Sequence, residues 1–217
     1  MISRPLACLA AALVAIGLGG GALAVQPSPS RAAVEGEAVA IFAGGCFWCV
    51  ESDFDGVPGV TRTISGYTGG SLKDPTYRQV TAGGTGHREA VQIFYDPGKV
   101  DFEGLLEVFW RSVDPTDKGG QFCDRGDSYQ TAIYVTSPEQ RRLAEASRNR
   151  LRISGLLDRP VVTPIEDAGP FYPAETYHQD YYRKNPLRYK LYRYGCGRDA
   201  RVQDLWGEQA HRGIAKH

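Results

Sequence analysis

Residues 37–57 read EAVAIFAGGCFWCVESDFDGV. The opening EAVAIFAGG is an apolar run ending on two glycines, which predicts a buried strand closed by a sharp turn. CFWCVESDFDGV then predicts a helix that stops before Pro58. Cys46 falls where strand gives way to helix, so the fold must contain a sheet from which a helix departs at Gly44-Gly45. A helix start presents unpaired N–H groups and the positive end of the macrodipole. Both favour thiolate over thiol. Cys46 is therefore expected to be a reachable nucleophile that ionises more easily than free cysteine. The plainer alternative is a buried structural cysteine or a disulfide partner.

Cys49 lies three residues on, on the same helix face, with Cβ atoms about 5–6 Å apart. A disulfide needs about 3.5–4.5 Å, so a modest movement closes it. The spacing suits a thioredoxin-like pair or half of a zinc site. His87, His178, His211 and His217 form no ligand pair at motif spacing, so no metal is expected. The inner residues Phe47 and Trp48 suit an apolar pocket better than an open thiol pair.

Further along, GVTRTISGYTGG and REAVQIFYDP alternate as strands do. SLKDPTYRQVTAGGTGH reads as a loop with one helical turn. DFEGLLEVFWRSV is an amphipathic helix capped by Asp101. YQTAIYVT is a strand, and SPEQRRLAEASRNRLRISG is a helix with Ser137 as cap, Pro138 at its first position and Gly155 at its end. RPVVTPIED reads as a strand and PAETYHQDYYRKN as a short helix. No internal repeat is present. Strands and helices mix without strict alternation. The expectation is an α+β fold: a ferredoxin-like mixed sheet with flanking helices and a long irregular C-terminal tail.

The 217 residues carry 25 basic and 25 acidic side chains. That balance argues against a nucleic-acid binder working through a basic field and against a membrane-surface patch. Residues 1–24 open on MISRP, which carries one Arg, continue as a charge-free apolar run and end in ALA, which reads as a secretory signal peptide. An uncleaved membrane anchor is the rival reading. Cys8 lies too near the start for lipid attachment. Residues 25–37 read as a linker, 38–198 as the catalytic domain and 199–217 as a weakly structured extension. The expected location is exported and periplasmic, or otherwise extracytoplasmic. Without the leader, Cys46, Cys49, Cys123 and Cys196 remain, and two structural disulfides are the default in such a compartment.

GGCFWCVE, GYTGG, DPTYRQV, TGHREAV, FWRSVDPTD, QFCDRGDSYQTAIY and AETYHQDYYRKNP, in that order, resemble the A-type peptide methionine sulfoxide reductases over residues 39–196. The resemblance implies that Cys46 attacks the sulfoxide sulfur and that Phe47 and Trp48 hold the substrate methyl group. It implies that Glu89 donates the proton. A carboxyl does so at neutral pH only if burial or a neighbouring charge raises its pKa. Tyr77 and Tyr129 match phenols that bind the oxygen, Asp124 a carboxylate that orients the substrate, and Tyr189 a tyrosine that closes the pocket. Cys46 would become a sulfenic acid and condense with a resolving thiol. Cys196, between glycines in the tail, is preferred for that task. Cys49 is the alternative, because the family commonly has glycine there; it would resolve directly or relay from Cys196. Cys123 reads as structural or idle. No cofactor is implied beyond an external dithiol, thioredoxin or a relative. The implied partners are oxidised proteins or free methionine sulfoxide, with no nucleic acid and no membrane beyond the leader, and the protein would act as a monomer.

Two other readings stay open. One is a general exported thiol–disulfide oxidoreductase using the Cys46–Cys49 pair, in which Glu89 is irrelevant. The other is a secreted binding domain held by two disulfides. Taken singly, Glu89 also reads as an exposed strand carboxylate, the tyrosines as half-buried core residues, and Asp124 as a turn cap.

Overall fold

The computed structural model describes residues 36–215. The segment read as a signal peptide and nearly all of that read as a linker lie outside the described residues, as does Cys8.

The apolar run forms β1 (Ala38–Ala43), which pairs antiparallel with β3 (Arg88–Tyr95) on one side and β6 (Ala132–Val135) on the other. Strand β2 (Val60–Thr68) pairs antiparallel with the outer side of β3. Two short strands, β7 (Ile165–Asp167) and β8 (Tyr172–Pro173), extend the sheet to the order β7-β6-β1-β3-β2-β8, with β6 and β7 parallel. Helix α1 (Phe47–Asp55) joins β1 to β2, and α3 (Phe102–Trp110) joins β3 to β6. The four central strands and these two helices form the expected ferredoxin-like arrangement within an α+β fold.

Local chemistry accounts for the boundaries. Asp101 Oδ1 accepts from the Gly104 N–H at 2.7 Å and starts α3. Ser137 Oγ accepts from the Gln140 N–H at 3.2 Å and starts α4 (Pro138–Ile153). Gly155, at φ +69°, follows its end. The core is a sandwich of sheet and helices centred on Phe42, whose ring lies 5.5 Å from Phe54 and 4.9 Å from Phe109. Leu105, Leu106 and Ile133 are fully buried around it, each contributing about 1.5–3 kcal/mol. Trp110 Nε1 donates to Ser147 Oγ at 2.9 Å and ties α3 to α4.

Two expectations need correction. RPVVTPIED is a strand only at β7, because Pro160 and Pro164 lack the N–H that a ladder requires. The C-terminal tail is not irregular. After α5 (Tyr181–Lys184) come α6 (Pro186–Gly195) and α7 (Arg198–Trp206). Helix α7 has two anchors. Arg198 is buried and donates to the carbonyls of Gly44 at 3.0 Å and Ser112 at 2.9 Å. Val202 and Trp206, four residues apart, insert into the core. Those two apolar positions lie among charged neighbours, which is why the segment reads as weakly structured from its sequence.

Candidate active site

Cys46 caps α1 at the end of the Gly-Gly turn, as the sequence predicts. The turn tolerates nothing larger than glycine. Gly45 sits at φ +84°, and a Cβ there would meet Gln121 Cβ at 2.6 Å. A Cβ on Gly44 would press Val113 and Val50 at 3.0 Å. The first turn of α1 is therefore seated tightly on the loop that carries β4 (Gly120–Gln121) and β5 (Asp124–Arg125).

Strand β3 delivers Glu89 beneath this helix start. Its Oε2 accepts from the Phe47 backbone N–H at 3.0 Å, satisfying one of the helix's orphan donors. Glu89 is 2% exposed. Burial, reinforced by the Asp124 charge, pushes its pKa up to about 8, against the downward pull of the Phe47 N–H and the Tyr129 hydroxyl. Glu89 is thus a neutral acid at pH 7 and holds a proton to give. The exposed-carboxylate reading is excluded.

Tyr77 and Tyr129 come together with Glu89. Their side chains hydrogen-bond each other, burial raises both pKa values, and Tyr77 reaches about 12. Tyr77 opens α2 (Tyr77–Thr81), held by a Thr76–Gln79 capping box. Its N–H donates to Glu175 Oε1 at 2.9 Å, while Glu175 Oε2 accepts from the Tyr67 hydroxyl at 2.8 Å. Asp124, in β5, is half-buried, and desolvation raises its pKa.

The two rings between the cysteines differ. Phe47 is buried against Tyr67, Tyr77 and His178, with centroids at 5.9, 6.4 and 4.9 Å. Trp48 is partly exposed and stacks on Tyr181 at 3.7 Å. Its Nε1 donates to His178 Nδ1 at 3.0 Å. Burial lowers the His178 pKa to about 4, so the imidazole is neutral and its proton sits on Nε2. Tyr189 is buried beside Cys46 and Cys49 and accepts from Arg193 Nη1 at 2.9 Å. The far side of the aromatic wall consists of His178 and Tyr181, which lie within AETYHQDYYRKNP but gain no role from the sequence, and Tyr192, which lies outside all of the family motifs. An open cleft of about 430 Å³ lies elsewhere, against Thr116, Asp158, Arg159 and Arg201, and contains none of these groups.

The cysteines depart from expectation in two ways. Cys46 is only 6% exposed. Burial, then Cys49 and the Glu89 charge, raise its pKa well above that of an ordinary thiol. Cys49 is lowered: it takes the hydrogen bond of the Cys46 thiol, and Arg198 and Arg193 favour its charge. The ease of ionisation expected for Cys46 therefore falls to Cys49, through the Cys46 hydrogen bond and the two guanidinium groups, while Cys46 stays a thiol beneath a cover of rings. Secondly, Cys196 is not aimed at Cys46. It forms a disulfide with Cys123 across 73 residues, so Cys123 is bonded rather than idle. Cys46 and Cys49 are free. The site thus holds one reduced pair and one oxidised pair. The two-disulfide reading fails at the first pair.

Comparison with known proteins places this geometry in a family. The family model described as peptide methionine sulfoxide reductase matches residues 38–210. The peptide methionine sulfoxide reductase MsrA of Bacillus licheniformis is 54% identical over 171 residues, covering 79% of this chain and 94% of the relative. The protein named peptide methionine sulfoxide reductase MsrA 2 of Caulobacter vibrioides is 51% identical over 204 residues, covering 94% and 98%. Among solved structures, methionine sulfoxide reductase A of Corynebacterium diphtheriae is 34% identical with a TM-score of 0.63, over 71% of this chain and 77% of that one. By family model, sequence and fold, this chain belongs to the peptide methionine sulfoxide reductases.

Proposed function

We propose that the protein reduces methionine S-sulfoxide, free or within oxidised proteins, to methionine, and so repairs oxidative damage. The observation that carries this reading is Glu89: a buried acid, neutral at pH 7, hydrogen-bonded into the helix start that holds Cys46. Glu89 protonates the sulfoxide oxygen while Tyr77 and Tyr129 hold it by O–H donation. Phe47 and Trp48 receive the methyl end, Asp124 helps to orient the substrate, and Tyr189 closes the pocket. Cys46 attacks the sulfur, the thioether leaves, and Cys46 becomes a sulfenic acid.

Cys49, hydrogen-bonded to Cys46, is the first resolving thiol; its attack releases water and forms the Cys46–Cys49 disulfide. An external dithiol such as thioredoxin reduces the Cys123–Cys196 disulfide, and the freed outer thiols then exchange with the Cys46–Cys49 disulfide, re-forming the outer bond and returning the inner pair to thiols. This ordering reverses the preference drawn from the sequence, because Cys196 is already engaged. A general thiol–disulfide oxidoreductase fits less well, since a pair only 6% and 2% exposed at Cys46 and Cys49 is poorly open to protein disulfides. Residues 1–24 direct export and 25–37 serve as a spacer, and one chain supplies every group named.

The test is turnover of the two separated methionine sulfoxide epimers by the purified protein with dithiothreitol. The S epimer should be reduced and Cys46→Ser should abolish the reaction. Turnover of neither epimer overturns the reading. Cys49→Ser should spare dithiothreitol-driven turnover and stop thioredoxin-driven turnover; if Cys49→Ser and Cys196→Ser both keep full thioredoxin activity, the regeneration scheme fails.

A further inference from the structure

The two sulfurs of the Cys123–Cys196 disulfide have different surroundings. Gln121 pairs with Asp124, so Phe122 and Cys123 form the two-residue tip of the β4–β5 hairpin. The tip is fixed from beneath. The Gln121 amide is buried, accepting from the Asp114 N–H at 2.9 Å and donating to the Asp114 carbonyl at 2.8 Å. The Phe122 ring lies 4.8 Å under the Arg198 guanidinium. Of these three residues, Cys123 is the exposed one.

Cys196 sits at the C-cap of α6, half-buried, with its N–H on the Tyr192 carbonyl at 2.8 Å. It follows Tyr192 by four residues and Tyr189 by seven. It therefore shares the helix face that packs those rings around Cys46 and Cys49. The Cys123 N–H donates to Cys196 Sγ at 3.2 Å, and Asp124 Oδ2 lies 3.7 Å from the same sulfur.

A thiolate opens a disulfide by attacking one sulfur and expelling the other, and access decides which sulfur is attacked. Access favours Cys123. Charge points the same way. A nucleophile arriving at Cys196 must be a thiolate, and it would come against the Asp124 carboxylate with no proton to relieve the repulsion. A thiolate leaving on Cys196 meets the same carboxylate, but it already holds the Cys123 N–H and can be protonated. The thiol so formed is placed to donate to Asp124 Oδ2.

Building on the proposed reductase activity, we infer that Cys123 is the sulfur that the external dithiol attacks, and that Cys196 is the leaving thiol that carries the electrons inward. The partner's thiolate bonds to Cys123 Sγ, and the Cys123–Cys196 bond breaks with its electron pair on Cys196 Sγ. The partner's second thiolate then bonds to its own first sulfur and expels Cys123. The partner is oxidised by two electrons, the outer pair is reduced by two, and the partner's two protons reach the outer thiols through solvent. Cys196 next attacks the Cys46–Cys49 disulfide. Cys123 attacks Cys196 Sγ in that mixed disulfide, expels the inner sulfur and re-forms the outer bond.

The experiment uses the full chain with its outer disulfide intact. It is mixed with reduced thioredoxin whose second active-site cysteine is replaced by serine, so that the first mixed disulfide persists. Samples are quenched at successive times with excess N-ethylmaleimide, digested with trypsin without reductant and mapped by mass spectrometry. Cys123 falls in residues 119–125 (GGQFCDR) and Cys196 in residues 194–198 (YGCGR). At the earliest times thioredoxin should be linked to 119–125 in about tenfold or greater excess, with maleimide on 194–198. Linkage chiefly to 194–198, equal linkage to both, or linkage to the peptide holding Cys46 and Cys49 overturns the assignment. So does the absence of any adduct over the period in which unmodified thioredoxin opens the outer bond. Reduction of the S epimer by the same preparation with dithiothreitol is scored separately, which keeps failure of this assignment distinct from failure of the proposed function.

Discussion

Replacing Glu89 by Gln should make the protein nearly inactive and more stable at once. At pH 7 an acid with pKa about 8 is roughly nine-tenths protonated, whereas at 4.5 only about three molecules per thousand are. The buried setting thus multiplies the population of proton donor several hundred-fold. Gln has no acid proton, so turnover should fall by about 10²–10⁴, or roughly 3–5 kcal/mol in the barrier. The stability change has the opposite sign. Unfolding returns Glu89 from about 8 to about 4.5, so the unfolded chain sheds a proton that the folded one keeps. That linkage is absent below pH 4.5, grows as pH rises, and levels off above 8. At pH 7 it disfavours the folded state by about 3 kcal/mol. Gln removes the cost and keeps an amide oxygen for the Phe47 N–H. Thermal unfolding at pH 7 should rise by roughly 6–12 °C, and the gain should vanish near pH 4. Wild-type kcat/KM should decline about tenfold per pH unit above 8. A Gln variant within threefold of wild-type activity, or one that melts earlier at pH 7, refutes the acid assignment.

Other perturbations probe separate parts of the structure. Trp206→Ala removes a ring that donates to the Val113 carbonyl at 3.1 Å and lies 4.3 Å under the Arg111 guanidinium; denaturant titration should show a loss of about 3–5 kcal/mol, and a neutral result would detach α7 from the fold. His178→Phe fills the ring space but strands the Trp48 indole N–H, costing about 1–3 kcal/mol; KM for the sulfoxide should rise roughly fivefold or more with kcat largely kept, and an unchanged KM would show that Trp48 needs no fixing. Cys123→Ser opens a loop closed across 73 residues and should lower stability by about 4 kcal/mol, read as an earlier denaturant midpoint; Cys49→Ser should not.

What was legible in the sequence was what depends on near neighbours. The strand–glycine–helix turn at Cys46 and the caps at Asp101 and Ser137 are written within a few residues each. The motif order also brought Glu89, Tyr77, Tyr129 and Asp124 to one place. What escaped depends on distant residues meeting. Trp48 and His178 lie 130 positions apart, and the Cys123–Cys196 bond spans 73. Neither has a spacing rule. The Cys46 pKa was misjudged for a related reason. A helix start is a local feature that lowers a thiol, but the lid that outweighs it comes from α5 and α6, far along the chain. Helix α7 escaped because only two of its buried anchors, Val202 and Trp206, are apolar, and the third is the charged Arg198.

The coexistence of an oxidised and a reduced cysteine pair has a practical consequence. Surroundings harsh enough to seal the outer pair leave the inner one, sheltered beneath tyrosines, still armed. Such a molecule can meet its first damaged methionine without waiting for an electron donor, and the bond at its surface keeps the tail folded in the meantime.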